Sequence, residues 1–165
     1  MLKKILVVLV VLFVAIQFYR PARNLSADTS LDIRGKYVVP DSVGRILARA
    51  CNDCHSNSTR YPWYAEVQPV SWWLNNHIKD GKRHLNLNSF LGSRVAVQKK
   101  RMEDCIEQID SSEMPLDSYL WIHKDAVLSE GDKAALKSWC QGVIDQMKAT
   151  YPADSLVLPK RGGGK

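Results

Sequence analysis

Hydrophobic and polar positions along the chain fall into three regimes. The first is an unbroken apolar run from Ile5 to Ile16, preceded by Lys3 and Lys4 and closed by Gln17, Phe18, Tyr19 and Arg20. The second, residues 21–40, is polar, lacks a helical period and ends in "YVVP", which predicts an extended linker. In the third, apolar residues recur three and four apart, the spacing of a helix with one buried face. Four such helices are expected. One starts near Asp41 and carries Val43, Ile46, Leu47, Ala50, Cys51 and Cys54 on its apolar side. The next begins around Pro69, stops at Gly81, and faces inward with Val70, Trp73, Leu74, His77 and Ile78. A third runs from about Leu91 to Ile109, with Val95, Met102, Cys105 and Ile106 on the same side. The last opens at Ser129, with Asp132 three residues on as an imperfect capping box. It carries Leu136, Trp139, Cys140, Val143, Ile144 and Met147. No alternation typical of a sheet is present, so the predicted fold class is all-α.

The N-terminal run has the length of a signal-peptide core, but no small-x-small cleavage site follows it. Counted from Leu2 to Tyr19, about 18 residues at ~1.5 Å each reach roughly 27 Å, close to a hydrocarbon core of about 30 Å. The expectation is an uncleaved transmembrane helix. The lysines would lie in the cytoplasm, giving a single-pass inner-membrane protein with its domain facing the periplasm. No cysteine follows the run, which argues against a lipid anchor. The predicted organisation is an anchor over 1–20, a linker over 21–40, one helical domain over 41–150 and a basic flexible tail over 151–165.

Composition adds two constraints. With 165 residues, 45% of them hydrophobic and 24% charged, the chain has one domain's worth of core and does not resemble a disordered segment. The formal net charge is +6, spread over "KDGKR", "QKKR" and "KRGGGK". An exported domain has little occasion to meet nucleic acid, so none is expected as a partner. Spread this way, the charge reads first as solvated surface and second as a docking face for acidic proteins.

The chemistry lies in "ARACNDCHSNSTRYPWY". Cys51, Cys54 and His55 form Cys-x-x-Cys-His, the pattern of covalent c-type haem attachment. Two thiols three residues apart add to the two vinyl groups at one porphyrin edge, and the next residue offers its imidazole to the iron. A zinc site would require two further ligands at matching spacing, and no second pair exists. A thioredoxin-like redox pair would require a βαβ context, which is lacking. A plain disulfide would leave His55 without a role.

The stretch "CNDCHSNSTRYPWYAEVQPVSWWLNNHIKDGKRHLN", followed by "EMPLDSYLWIH", resembles the bacterial haem-binding domain family of small membrane-anchored c-type cytochromes. The "IQFYRPARN" stretch is similar to the junction between anchor and linker in that family. The resemblance covers roughly residues 16 to 147. It implies a cytochrome-c-like, membrane-attached periplasmic protein with one covalent haem and redox proteins as partners.

The candidates for a sixth iron ligand are Met102, Met114, Met147, His77, His84 and His123. Met114 leads, because it lies in a loop just before Pro115, which restricts it to extended backbone. A Met-Pro loop before the last helix also resembles the axial-ligand loop of class I cytochromes c. Met102 and Met147 fall on apolar helical faces, where core packing accounts for them. His77, on an apolar face, is the rival. Arg60, Lys79 and Arg83 are candidates to pair with haem propionates. The aromatics Trp63, Tyr64, Trp72, Trp73, Tyr119, Trp121 and Trp139 are candidates to pack on the porphyrin. Cys105 and Cys140 lie on inward faces and either pair or stay separate. The function expected is one-electron transfer, an electron carrier rather than an enzyme. The alternative is a sensor or peroxidase-like protein with an open sixth position.

Overall fold

The computed structural model describes residues 1–26 and 28–159. Among these residues the fold is all-α, with no sheet and one isolated bridge between Leu25 and Ser58. Seven α-helices follow in order: α1 (Leu2–Ile16), α2 (Asp41–Ala50), α3 (Asn52–His55), α4 (Val70–His84), α5 (Val95–Asp110), α6 (Asp117–Leu120) and α7 (Glu130–Thr150). Short 3-10 turns join them.

The core forms where amphipathic faces meet. α5 packs along α7, and α2 crosses α7. Val43, Ile46 and Leu47 from α2, Met102 and Ile109 from α5, and Leu136, Cys140, Val143, Ile144 and Met147 from α7 are all buried in one cluster. A smaller cluster of Ala65, Leu74 and Ile78 lies under α4 and the 61–65 loop, with Cys54, Tyr61 and Tyr64 against it. The capping box expected at α7 is present in both directions: Ser129 Oγ accepts from the Asp132 backbone, and the Asp132 carboxylate accepts from the Ser129 backbone.

Four segments differ from the sequence expectation. α4 runs through Gly81 to His84, because that glycine lies mid-helix against the backbone of Cys54 rather than at a helix end. Residues 87–92 form a separate 3-10 segment before α5, with Phe90 fully buried. The segment 21–40 is bound to the domain: Ile33 and Tyr37 enter the core, and Asn24 bonds to Ser56 and Thr59. Residues 151–159 carry a 3-10 turn whose Leu156 is buried. Residues 160–165 of the expected basic tail lie outside the described residues.

The membrane-spanning expectation is corrected. α1 has 15 residues, a length of roughly 22 Å against the about 30 Å of a hydrocarbon core. No helix among the described residues is long and apolar enough to cross a membrane. The expected single-pass inner-membrane placement with a periplasmic domain therefore does not follow. The reason lies in residues 17–19, which the sequence count assigned to the span. Gln17 exchanges hydrogen bonds with the Gln68 backbone. The Tyr19 carbonyl accepts from Trp72 Nε1 and Gln68 Nε2, both at 3.0 Å. These polar ties hold the end of the run against the folded domain.

Candidate functional site

α2 ends at Ala50, and Cys51 leaves helical geometry with φ −126°. The single turn α3 follows, its Cys54 and His55 amides bonding back to the Cys51 carbonyl. This tight turn brings Cys51, Cys54 and His55 to one wall. α3 packs on α4, where Gly81 permits the approach: a Cβ there would lie 2.8 Å from the Cys54 carbonyl oxygen.

Opposite that wall, α5 ends in a Schellman motif. The Glu113 amide bonds to Gln108 O at 3.0 Å and the Ser112 amide to Ile109 O at 3.2 Å, with Ser112 left-handed at φ 59°. The reversal carries Met114 back toward the turn. Between the two walls lies a cavity of about 490 Å³, lined mainly by apolar side chains that include Leu47, Leu116, Leu128 and Leu136. Its volume falls in the ordinary range for small-molecule and cofactor sites.

All four residues expected to form the site, Cys51, Cys54, His55 and Met114, line this one cavity. Burial pushes the Cys51 thiol up to about 12 and the Cys54 thiol up to about 11. Both are neutral thiols at ordinary pH. A redox Cys-x-x-Cys instead has a depressed pKa, set by nearby cations or a helix N-terminus. His55 Nδ1 lies 2.9 Å from the Leu85 carbonyl, just past the end of α4. A carbonyl only accepts, so the proton sits on Nδ1 and the lone pair on Nε2. Burial also lowers the His55 pKa, which keeps the ring neutral. A neutral imidazole oriented by a backbone carbonyl is the form that binds a metal. Among the described residues, no group of three or more His, Cys, Asp or Glu side chains is placed to hold a metal ion by itself.

The rivals to Met114 divide into those away from the cavity and those that share it. Met102 and Met147 are fully buried in the core and do not line the cavity. His77 does line it, but its Nδ1 bonds the Trp73 carbonyl one turn back and its ring packs on Trp73 at 4.2 Å. His84 lines the cavity while remaining exposed. His123 lies away from it, bonded through Nε2 to Tyr64 at 2.8 Å.

The candidates for propionate pairing change. Arg60 pairs with Asp53, Arg83 with Asp80, and neither they nor Lys79 line the cavity. The arginine that does is Arg101, on α5. Burial lowers its pKa, and its guanidinium bonds Ser93 Oγ at 2.8 Å. No acidic partner is found for it among the described residues. A half-buried cation facing an apolar cavity suits a ligand with carboxylates. In the sequence Arg101 sits inside "QKKR", which reads as solvated surface. Of the aromatics, Tyr119 and Trp139 line the cavity, whereas Trp63 and Trp121 are 77% and 72% exposed.

The fold and the cavity define a class: an all-α domain with a largely apolar cavity lined by two thiols, an oriented imidazole, a thioether and a cation. The chain belongs to the haem-binding domain family, whose model matches residues 11–142. That span contains every residue lining the cavity. No curated protein and no solved structure matches the chain. The protein is thus a haem-binding protein, and the thiols, imidazole, thioether and apolar side chains that line the cavity are of kinds that suit that cofactor.

Proposed function

We propose that this protein is a c-type cytochrome with one haem, attached through Cys51 and Cys54, ligated by His55 and Met114, and used for one-electron transfer. The observation that carries this reading is the meeting of these four side chains in one apolar cavity. Cys51 and Cys54 would hold the haem covalently, each S–H adding across one vinyl double bond to give a thioether, with the hydrogen placed on the neighbouring carbon. Haem supplies a reversible one-electron ferric–ferrous couple when bound. The chain does the rest. Leu85 orients His55, the leucines exclude water, and Arg101 offers a cation to the porphyrin carboxylates. Histidine–methionine ligation raises the reduction potential. Partners would be redox proteins, and a net charge of +6 favours acidic ones.

The test is an optical spectrum of the full chain matured in a host that attaches haem c, recorded in ferric, ferrous and ferrous-plus-CO states. The expected result is a low-spin spectrum with a weak red-edge sulfur-to-iron band, unmoved by CO, with that band lost in Met114→Ala. A high-spin ferrous spectrum that shifts at once with CO would sink the carrier reading and favour a sensor or peroxidase. A low-spin spectrum without the sulfur band would move the sixth ligand to His77.

A further inference from the structure

Asp53 is one of the two residues between the cysteines of the attachment motif, and the motif itself leaves that position free. Here it is 8% exposed and fully engaged. Its Oδ1 accepts from the Arg60 amide at 3.1 Å and from Arg60 Nε at 3.3 Å. Its Oδ2 accepts the Tyr119 hydroxyl at 2.8 Å. Tyr119 belongs to α6, five residues beyond Met114, so this bond joins the haem-attachment turn directly to the segment carrying the expected sixth ligand.

Apart from this bond the segment is held by packing, with Ala126 and Leu128 buried in the core, and by the Met114 amide, which bonds Gln108 O at 3.2 Å. α6 has four residues, too short to be stable alone. Among the described residues, two hydrogen bonds tie residues 115–128 to the rest of the domain: Tyr119 to Asp53, and His123 to Tyr64. The two are linked, because the Tyr119 and His123 rings stack with centroids 4.1 Å apart and planes 9° from parallel. A hydroxyl bonded to a carboxylate is the stronger member of such a pair, and Arg60 keeps that carboxylate in place.

We infer that Asp53 and Tyr119 are a positioning pair that latches the Met114 segment over the haem-attachment turn and thereby sets how firmly the sixth iron position is closed. The inference rests on Met114 ligation. Neither residue touches the iron; each acts through the placement of Met114.

The experiment uses the haem-loaded full chain and two readouts: the sulfur-to-iron band, and the affinity of the ferric protein for free imidazole. Tyr119→Phe removes one hydroxyl and keeps the stacked ring. It should weaken the band and raise imidazole affinity by roughly ten- to a hundredfold, the equivalent of one charge-assisted hydrogen bond. Asp53→Asn should move both readouts in the same direction, and combining the two should add little beyond the larger single effect. If Tyr119→Phe or Asp53→Asn fails to load haem, the other variant supplies the test. Wild-type band and affinity in these variants, while Met114→Ala abolishes the band, would overturn the latch and leave Met114 ligation standing. Wild-type behaviour in Met114→Ala itself would overturn both.

Discussion

A single methyl group added at Gly81 sets two effects of opposite sign against each other. Gly81 lies inside α4, where replacement by alanine favours the helix by about 0.8–1 kcal/mol. Its added Cβ, however, would sit 2.8 Å from the Cys54 carbonyl oxygen and 3.0 Å from Cys54 Cβ. The closest of these atoms is backbone, so no side-chain rotation relieves the contact. α4 and the attachment turn must separate by several tenths of an ångström, an overpacking strain of about 1–3 kcal/mol. Strain wins, and Gly81→Ala should destabilise by about 1 kcal/mol net. Gly44 in α2 and Gly142 in α7 are the controls, since an added Cβ meets nothing within 4 Å at either. Gly44→Ala and Gly142→Ala should each stabilise by about 0.5–1 kcal/mol. Urea unfolding of the haem-loaded full chain, followed by far-ultraviolet circular dichroism and compared at equal slope, gives the three values. The Gly81 variant should also load less haem, because the displaced atoms belong to Cys54. A Gly81 variant as stabilised as Gly44→Ala would refute the close approach of α4 to the attachment turn.

Three further outcomes are expected. Hydrogen bonds from Ser129, together with Arg49, hold the Asp132 carboxyl below its ordinary 3.8. Its contribution is therefore present above that pH and fades as pH falls below it. Asp132→Ala should cost about 1–2 kcal/mol near neutrality, and urea melts should show the gap to wild type narrowing below about pH 4. Arg101→Gln removes a cation from the cavity wall and so favours the more positive ferric state. Potentiometric titration should show the midpoint lowered by roughly 1 kcal/mol, or about 40 mV, at an effective dielectric near 20; an unchanged midpoint would remove Arg101 from the propionates. The Cys105 and Cys140 thiols lie in the same core cluster where α5 meets α7, and thioether formation would leave them as the free cysteines. Oxidised glutathione should accept their two electrons and join them, closing a loop of about 35 residues worth roughly 3–4 kcal/mol. Alkylation after denaturation would then label no cysteine, whereas labelling of two would show that the pair does not close.

The helices were legible wherever one face is buried. On α7, Leu136, Trp139, Cys140, Val143, Ile144 and Met147 recur three and four apart, and all six are buried. Cys51, Cys54 and His55 were legible because local spacing alone brings them together. Met114 needed a weaker cue, its place before Pro115, and the reversal that delivers it was hidden because the left-handed position holds serine, not glycine. Ile33, Tyr37 and Phe90 enter the core from irregular segments, where no period marks a buried side. The Asp53–Tyr119 bond joins residues far apart in sequence, each ordinary in its own surroundings. Arg101 was masked by the charges around it. At the N-terminus, hydropathy could not show that Gln17 and Tyr19 bond to Gln68 and Trp72, which ends the apolar helix short of a span.

The central claim is that Cys51 and Cys54 hold one haem by covalent bonds. The most direct measurement is the intact mass of the full chain, matured where haem c is attached, after acid denaturation and solvent extraction. The account predicts a mass raised by one haem that extraction does not remove, and loss of that increment when both cysteines are replaced by alanine. A chain that releases all its haem on extraction, or keeps it without Cys51 and Cys54, would contradict the account.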